Sequence, residues 1–282
     1  MNLRFSCRTF TGEPLGETER AGLQAAAQAI TRGPFGTRLR LVLAAARPGD
    51  EAALKRLGTY GLIRGPGAFL IGAVERAPMD REDFGYAMER LVLEATELGL
   101  GTCWVGGVFT RGSFARRIGA SRRERMPAVV AVGRMPGRPM AEAGLTRRVV
   151  GGSRRRPWET LFSDEQLHRP LDAESAGPFA AALETVRWAP SASNRQPWRV
   201  VRSGRDWHFF MQRTPGYPPH IARVLLGVED LQRVDMGIAL CHFELALRER
   251  GQAGRWVRRA PSVSGPDALT EYTATWEPVS GG

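Results

Sequence analysis

The chain has 282 residues, a formal net charge of +11 and 43% apolar side chains, which suits one large domain or two halves of ordinary size with ample core. No apolar run approaches the roughly 20 residues that a membrane-spanning helix needs, and the N-terminus opens with Arg4 and Arg8 rather than an apolar signal region, so a cytoplasmic protein with no membrane partner is expected. The charge is nearly all arginine and dispersed, dense only at Arg122-Arg123-Glu124-Arg125 and Arg154-Arg155-Arg156, and no zinc-finger, RRM or KH pattern accompanies it; nucleic acid is not expected as a partner.

In chain order, Arg4-Phe5-Ser6-Cys7-Arg8-Thr9-Phe10 sets two guanidinium groups and a hydroxyl ahead of the first helix, either as surface charge or as an anion clamp. Residues 29–43 read as a helix end, a Gly33-Pro34-Phe35-Gly36 turn and a strand. Residues 83–99 form an amphipathic helix closed by Gly99 at the C′ position. The glycines of Gly99-Leu100-Gly101 follow a helix rather than a strand, and no ribose-binding carboxylate is correctly spaced, which disfavours a dinucleotide-binding fold. Val105, Gly106 and Gly107 end the next strand, as a buried strand with a bulge or as a place where missing side chains admit a ligand.

Residues 151–160 read as a linker, ending in Arg154-Arg155-Arg156-Pro157-Trp158. Beyond it, residues 180–186 are helical, Pro190 ends that helix, and residues 198–201 have the aromatic and β-branched content of a strand. Between them Ser191, Ser193, Asn194 and Gln196 occupy a turn held by rigid elements. Their polar groups either satisfy their own backbone or await a ligand. Residues 235–251 then repeat the Asp, Gly, Ala, Leu, Glu and Gly of residues 83–99 at matching places. The repeat implies an internal duplication, with halves 1–150 and 161–282, in which residues 29–43 take the place of the amide-rich turn without its amides.

Cys7, Cys103 and Cys241 are far apart, and His168, His208, His220 and His242 have no partner at ligand spacing, so no disulfide framework or metal site is expected. Neither a Gly-x-Ser-x-Gly elbow nor a Walker A loop is present.

The segment Ala189-Pro190-Ser191-Ala192-Ser193-Asn194-Arg195-Gln196-Pro197-Trp198 resembles the APSxxNxQPW signature of the FMN-dependent nitroreductase family. Residues 4–10 are similar to the family's RxSxR segment, and residues 95–107 resemble the helix end and strand that pass beside its flavin. The family runs RxSxR, APSxxNxQPW, then the glycine strand, whereas here APSxxNxQPW comes last; each half keeps what the other has lost, as in the single-chain, internally duplicated branch. The resemblance implies an α+β fold: three α/β/α layers with a mixed, mainly antiparallel sheet, the two halves forming an intramolecular pseudo-dimer. It implies one FMN site per chain, between the halves, and NAD(P)H as reductant. The reaction implied is ping-pong hydride transfer to a small nitroaromatic, quinone or similar conjugated acceptor, with no catalytic side chain because the flavin carries the chemistry. A monomeric pseudo-dimer is expected.

By the same resemblance Arg4 and Ser6 clamp the flavin phosphate, and Arg8 lies near the N1/O2 edge of the ring. Val105, Gly106 and Gly107 pass beside the ring with the Gly107 N–H toward N5, and Arg147 and Arg148 return to the phosphate. Pro190, Ser191, Ala192 and Asn194 lie against the ribityl chain and dimethylbenzene side, with Gln196 bracing the turn. Gly106 stands where many members have a carboxylate, which implies a main-chain contact and different substrate positioning; residues 171–175 are acidic where the family is basic, which leaves the second half without its own clamp; and only Arg64 of residues 60–64 offers a polar group where the family has Asn and Lys, which weighs against full catalytic competence. The alternative is a diverged flavin-binding or flavin-free protein with a structural or sensing role.

Overall fold

The computed structural model describes residues 4, 6–45, 54, 57–107, 109–137, 154–217 and 228–279, divided into two units, residues 1–153 and 154–282. In the first unit, α1 (Glu17–Ala29) leads through a turn into β1 (Leu39–Ala45), which pairs antiparallel with β2 (Ala68–Glu75). Helix α2 (Asp80–Glu97) crosses to β3 (Gly101–Gly106), then α3 (Arg111–Ile118), the short β4 (Glu124–Arg125) and β5 (Ala128–Gly133). The sheet order is β1-β2-β5-β3, all antiparallel, with β4 on the end of β2.

Side-chain alternation along these strands gives the sheet two apolar faces. On one, Phe69, Ile71, Val105, Val129 and Ala131 pack with Phe10, Phe109 and Phe114 of the N-terminal segment and α3. On the other lies α2, so closely that a Cβ on Gly72 would sit 2.7 Å from the Phe84 ring and 3.0 Å from Leu41.

The second unit begins with an extended stretch, a helical turn α4 (Trp158–Leu161) and β6 (Phe162–Asp164). Then come α5 (Ala180–Trp188), β7 (Trp198–Ser203), β8 (Asp206–Gln212), α6 (Leu231–Arg248), β9 (Gly254–Val257) and β10 (Thr270–Pro278). Its sheet order is β6-β7-β8-β10-β9, antiparallel except for the parallel β6–β7 pair. The core of this unit is aromatic: Phe243 on α6 packs against Trp207, Phe209, Trp256 and Trp276 of the sheet.

Setting α3 and β4 of the first unit and α4 and β6 of the second aside, the units repeat one topology. Helix, strand, strand, helix, strand and strand follow in the same order, and the sheets run first-second-fourth-third in both. Nine residues separate the first helix from its strand in each, 30–38 and 189–197. The long helices also end alike, with Gly99 at φ 80° and Gly251 at φ 69° and matching bonds from Leu100 N–H to Ala95 O (2.9 Å) and from Gln252 N–H to Leu247 O (3.0 Å). The duplicated α+β architecture expected from the sequence is thus present. Among the described residues no helix is long and apolar enough to cross a membrane, and no three His, Cys, Asp or Glu side chains cluster to hold a metal ion.

The first unit's turn rests on Asp83, whose carboxylate takes the N–H groups of Phe35 (2.8 Å) and Thr37 (2.9 Å). Gly33 makes the approach feasible, because a Cβ there would stand 2.3 Å from the Asp83 carboxylate. Gly33→Ala should therefore destabilise the chain by about 1–3 kcal/mol, read as a lower urea midpoint. An unchanged midpoint would mean that Asp83 does not hold the turn from that position.

Candidate functional site

Helix α5 stops at Trp188 because Pro190 lacks the N–H a further turn would need. The nine residues that follow include Ser193, Asn194 and Gln196 at φ 50°, 54° and 50°. Side-chain-bearing residues reach this left-handed region at a cost of order 1–3 kcal/mol each, Asn most easily. The turn persists because it is held from several sides. Ser191 O accepts the Asn194 N–H (3.0 Å) and Ser191 Oγ the Gln196 N–H (2.9 Å). Arg199, buried in the following strand, donates to Gln196 O (3.2 Å) and Trp198 O (2.6 Å). Burial, then repulsion from Arg156, pulls the pKa of Arg199 down to about 10.

The amide side chains of the turn face the chain itself. Asn194 Nδ2 donates to Arg154 O (2.9 Å), and its Oδ1 accepts from Arg155 (2.6 Å), whose guanidinium lies over the Trp188 ring at 5.4 Å. Gln196 Nε2 donates to Asn194 O (3.1 Å) and Arg154 O (3.2 Å), while its Oε1 accepts the Arg156 N–H (2.8 Å). Residues 154–156 thus form a strap fastened to the turn. Gln196 ties the turn to the strap, and Asn194 is engaged in the same network. Ser193 is left exposed, Ser191 and Ala192 are half-buried, and Pro190 is buried. From beneath, Asp235 Oδ1 of α6 accepts the Ala192 N–H at 2.9 Å.

In the first unit, residues 6–10 lie extended between two neighbours. Cys7 N–H reaches Thr102 O (2.8 Å) beside a Ser6–Thr102 bridge, and the backbone of Arg64 bonds Arg8 O (2.9 Å) and the Phe10 N–H (2.8 Å). Ser6 and Arg8 are exposed, but Arg4 is only 5% exposed and lies 4.0 Å from Glu89, a carboxylate that is fully buried and accepts the Trp104 indole N–H at 2.8 Å. Burial lowers the pKa of Arg4, while Glu89 opposes the shift. The Arg4 charge is therefore matched inside the unit, and Ser6, Arg8 and Thr9 are exposed polar residues of this segment. Burial raises the Cys103 thiol, a shift that Arg8 opposes.

Val105 is buried, Gly106 half-buried, and Gly107 exposed at φ 80° with no atom within 4 Å of where a Cβ would stand. Arg147 and Arg148 lie outside the described residues. The first unit's own turn borders an open groove of about 950 Å³ lined by Arg32, Arg38, Arg40, Arg76, Arg122 and Arg123, with Arg40 paired to Glu124 at 2.9 Å. Sequence reasoning missed Glu89, the two anchoring aspartates and the 154–156 strap. For the aspartates a signal existed, since they are the first matched residues of the two repeated helices.

Topology and site together define a duplicated α+β protein in which the second unit carries a strained, braced turn and the first an exposed Ser/Arg segment beside a glycine strand end. The family model described as "Putative TM nitroreductase" matches residues 1–247, and the chain belongs to that family. It shares 20% identity with a solved nitroreductase-like protein of Thermotoga maritima MSB8, over 98% of this chain and 91% of the other, at a TM-score of 0.59, which bears out the fold. More distant are a nitroreductase family protein of Clostridium difficile 630 (15% identity, 52% of this chain and 87% of the other, TM-score 0.40) and an FMN-dependent nitroreductase of C. difficile R20291 (13%, 49% and 86%, 0.38). Comparison with curated proteins finds no match.

Arg4 is a buried side chain in contact with Glu89. Arg4→Ala should cost about 1–3 kcal/mol of folding stability, whereas exposed Arg8→Ala should stay within about 0.5 kcal/mol of the parent. Chemical denaturation of both variants checks this, and equal stabilities would contradict the buried pair.

Proposed function

We propose that the chain is an FMN-dependent oxidoreductase that takes electrons from NADH or NADPH and reduces nitroaromatic, quinone or similar conjugated acceptors, with one flavin per chain. Family membership supports the reading, and the observation that carries it is the 189–197 turn. It matches the family's flavin signature and stores backbone strain behind three independent braces, a feature that concentrates at ligand sites.

The residues present fit a flavin. Exposed Gly107 sets no side chain at the strand end, and exposed Ser6 and Arg8 offer a hydroxyl and a fixed cation to a phosphate or to the electron-rich ring edge. Ser191, Ala192 and Ser193 present the turn's surface beside buried Pro190, while Asn194 and Gln196 keep its shape. Arg4 supports the segment from inside through Glu89. When bound, the flavin supplies the two-electron transfer; this chain's residues bind it, orient it and stabilise charge beside it. The same reading takes the protein as a cytoplasmic monomer acting on small molecules, without nucleic-acid or membrane partners. The engagement of Arg4 and Asn194 within their own units favours one other reading, a flavin-free structural or sensing protein.

Absorbance of the purified chain in the flavin bands, followed by anaerobic addition of NADH or NADPH, separates the readings. Bleaching of a bound flavin is expected. A chain that stays colourless with added FMN, or a bound flavin that neither reductant bleaches, would overturn the proposal. Arg8→Ala should weaken FMN binding about tenfold, roughly 1.4 kcal/mol, without lowering the unfolding midpoint.

A further inference from the structure

The two nine-residue turns stand over the same acid but use it differently. In the first unit both Asp83 oxygens accept turn amides, those of Phe35 and Thr37, and Gly36 (φ 87°) alone among residues 30–38 has positive φ. Counted from the helix ends, Phe35 and Thr37 correspond to Asn194 and Gln196. Those two amides have other acceptors, Ser191 O and Ser191 Oγ, at the position of Arg32 in the first unit. Asp235 therefore keeps a single bond, from Ala192 N–H to Oδ1 (2.9 Å). Its Oδ2, on a side chain only 3% exposed, has no hydrogen-bond partner among the described residues.

We propose that Asp235 is the positioning residue of the flavin-binding turn: through Ala192 it fixes the already closed turn to α6, and so locates Ser193 and Asn194, without itself touching the ligand. The turn closes on Ser191 and is tied to the strap through Asn194 and Gln196; the Ala192 bond is what ties it to the helix beneath. An orphaned buried oxygen carries a cost, and a side chain kept at that cost is explained by the bond its other oxygen makes. Burial, reinforced by the nearby Asp230, holds the Asp235 carboxyl well above the usual carboxylate range. An amide, with one carbonyl oxygen, can replace a side chain that accepts a single N–H. It cannot replace Asp83, which needs two acceptors for two N–H groups.

This inference rests on the flavin reading for what the turn holds, and two readouts keep the two apart. Hydrogen exchange of the Ala192 amide reports the anchor in the apoprotein, and FMN titration reports its consequence. Asp235→Ala should speed Ala192 exchange and weaken FMN at least tenfold, while Asp235→Asn should keep both near the parent values. Should Asp235→Ala fail to fold, Ala192→Pro removes the same bond from the donor side and should give the same FMN loss. Asp83→Asn should lower the unfolding midpoint yet leave FMN affinity within about twofold. Unchanged exchange and affinity in Asp235→Ala would overturn the proposal, as would failure of Asp235→Asn to restore them. If the parent chain takes up no FMN, the flavin reading fails and Ala192 exchange alone decides the anchor.

Discussion

Keeping Ser193, Asn194 and Gln196 at positive φ is the constraint around which the second unit is organised. Each such residue is uphill on its own, so the conformation survives only where neighbours over-determine it. Here they do so from three directions: the backbone and side chains of 154–156, the buried Arg199 guanidinium, and Asp235 beneath. Individual hydrogen bonds contribute about 0.5–1.5 kcal/mol net. No single one offsets the strain, and the network as a whole is what matches it. The polar residues that look ligand-facing in the sequence are mostly the means by which the turn keeps its shape.

Duplication supplied the frame, and divergence divided the chemistry. Both units keep the same strand order, the same nine-residue spacing, an aspartate under the turn and a left-handed glycine after the long helix. In the first, Gly33 and Gly36 let the turn close on Asp83 without side chains at positive φ, and among the described residues nothing there resembles the strap. That unit instead orders an exposed Ser6/Arg8 segment over a buried Arg4–Glu89 pair. The two units thus reach different local solutions on one topology.

Local patterns carried most of the fold into the sequence. Pro190 marks the end of α5, Gly99 and Gly251 mark the ends of the long helices, and the matched residues of those helices reveal the repeat. What stayed hidden depends on long-range contacts that periodicity does not encode. Glu89 and Arg4 are 85 positions apart, and Glu89 reads as an ordinary solvated helix charge until the structure buries it. Residues 154–156 read as a basic linker because their partners lie about 40 positions further on. The aspartates were visible as markers of the repeat but not as anchors, since their bonds reach back more than 40 residues. The turn was legible as a motif; the engagement of Asn194 and Gln196 with the chain itself was not.

The central claim is that the duplication has left one flavin-competent turn per chain. The first unit's own turn, with its arginine-lined groove, tests that claim, because those arginines supply positive charge without a braced signature turn. The decisive measurement is equilibrium titration of the apoprotein with FMN, counted per chain. One equivalent is predicted, and two equivalents, or none at high micromolar FMN, would contradict the account.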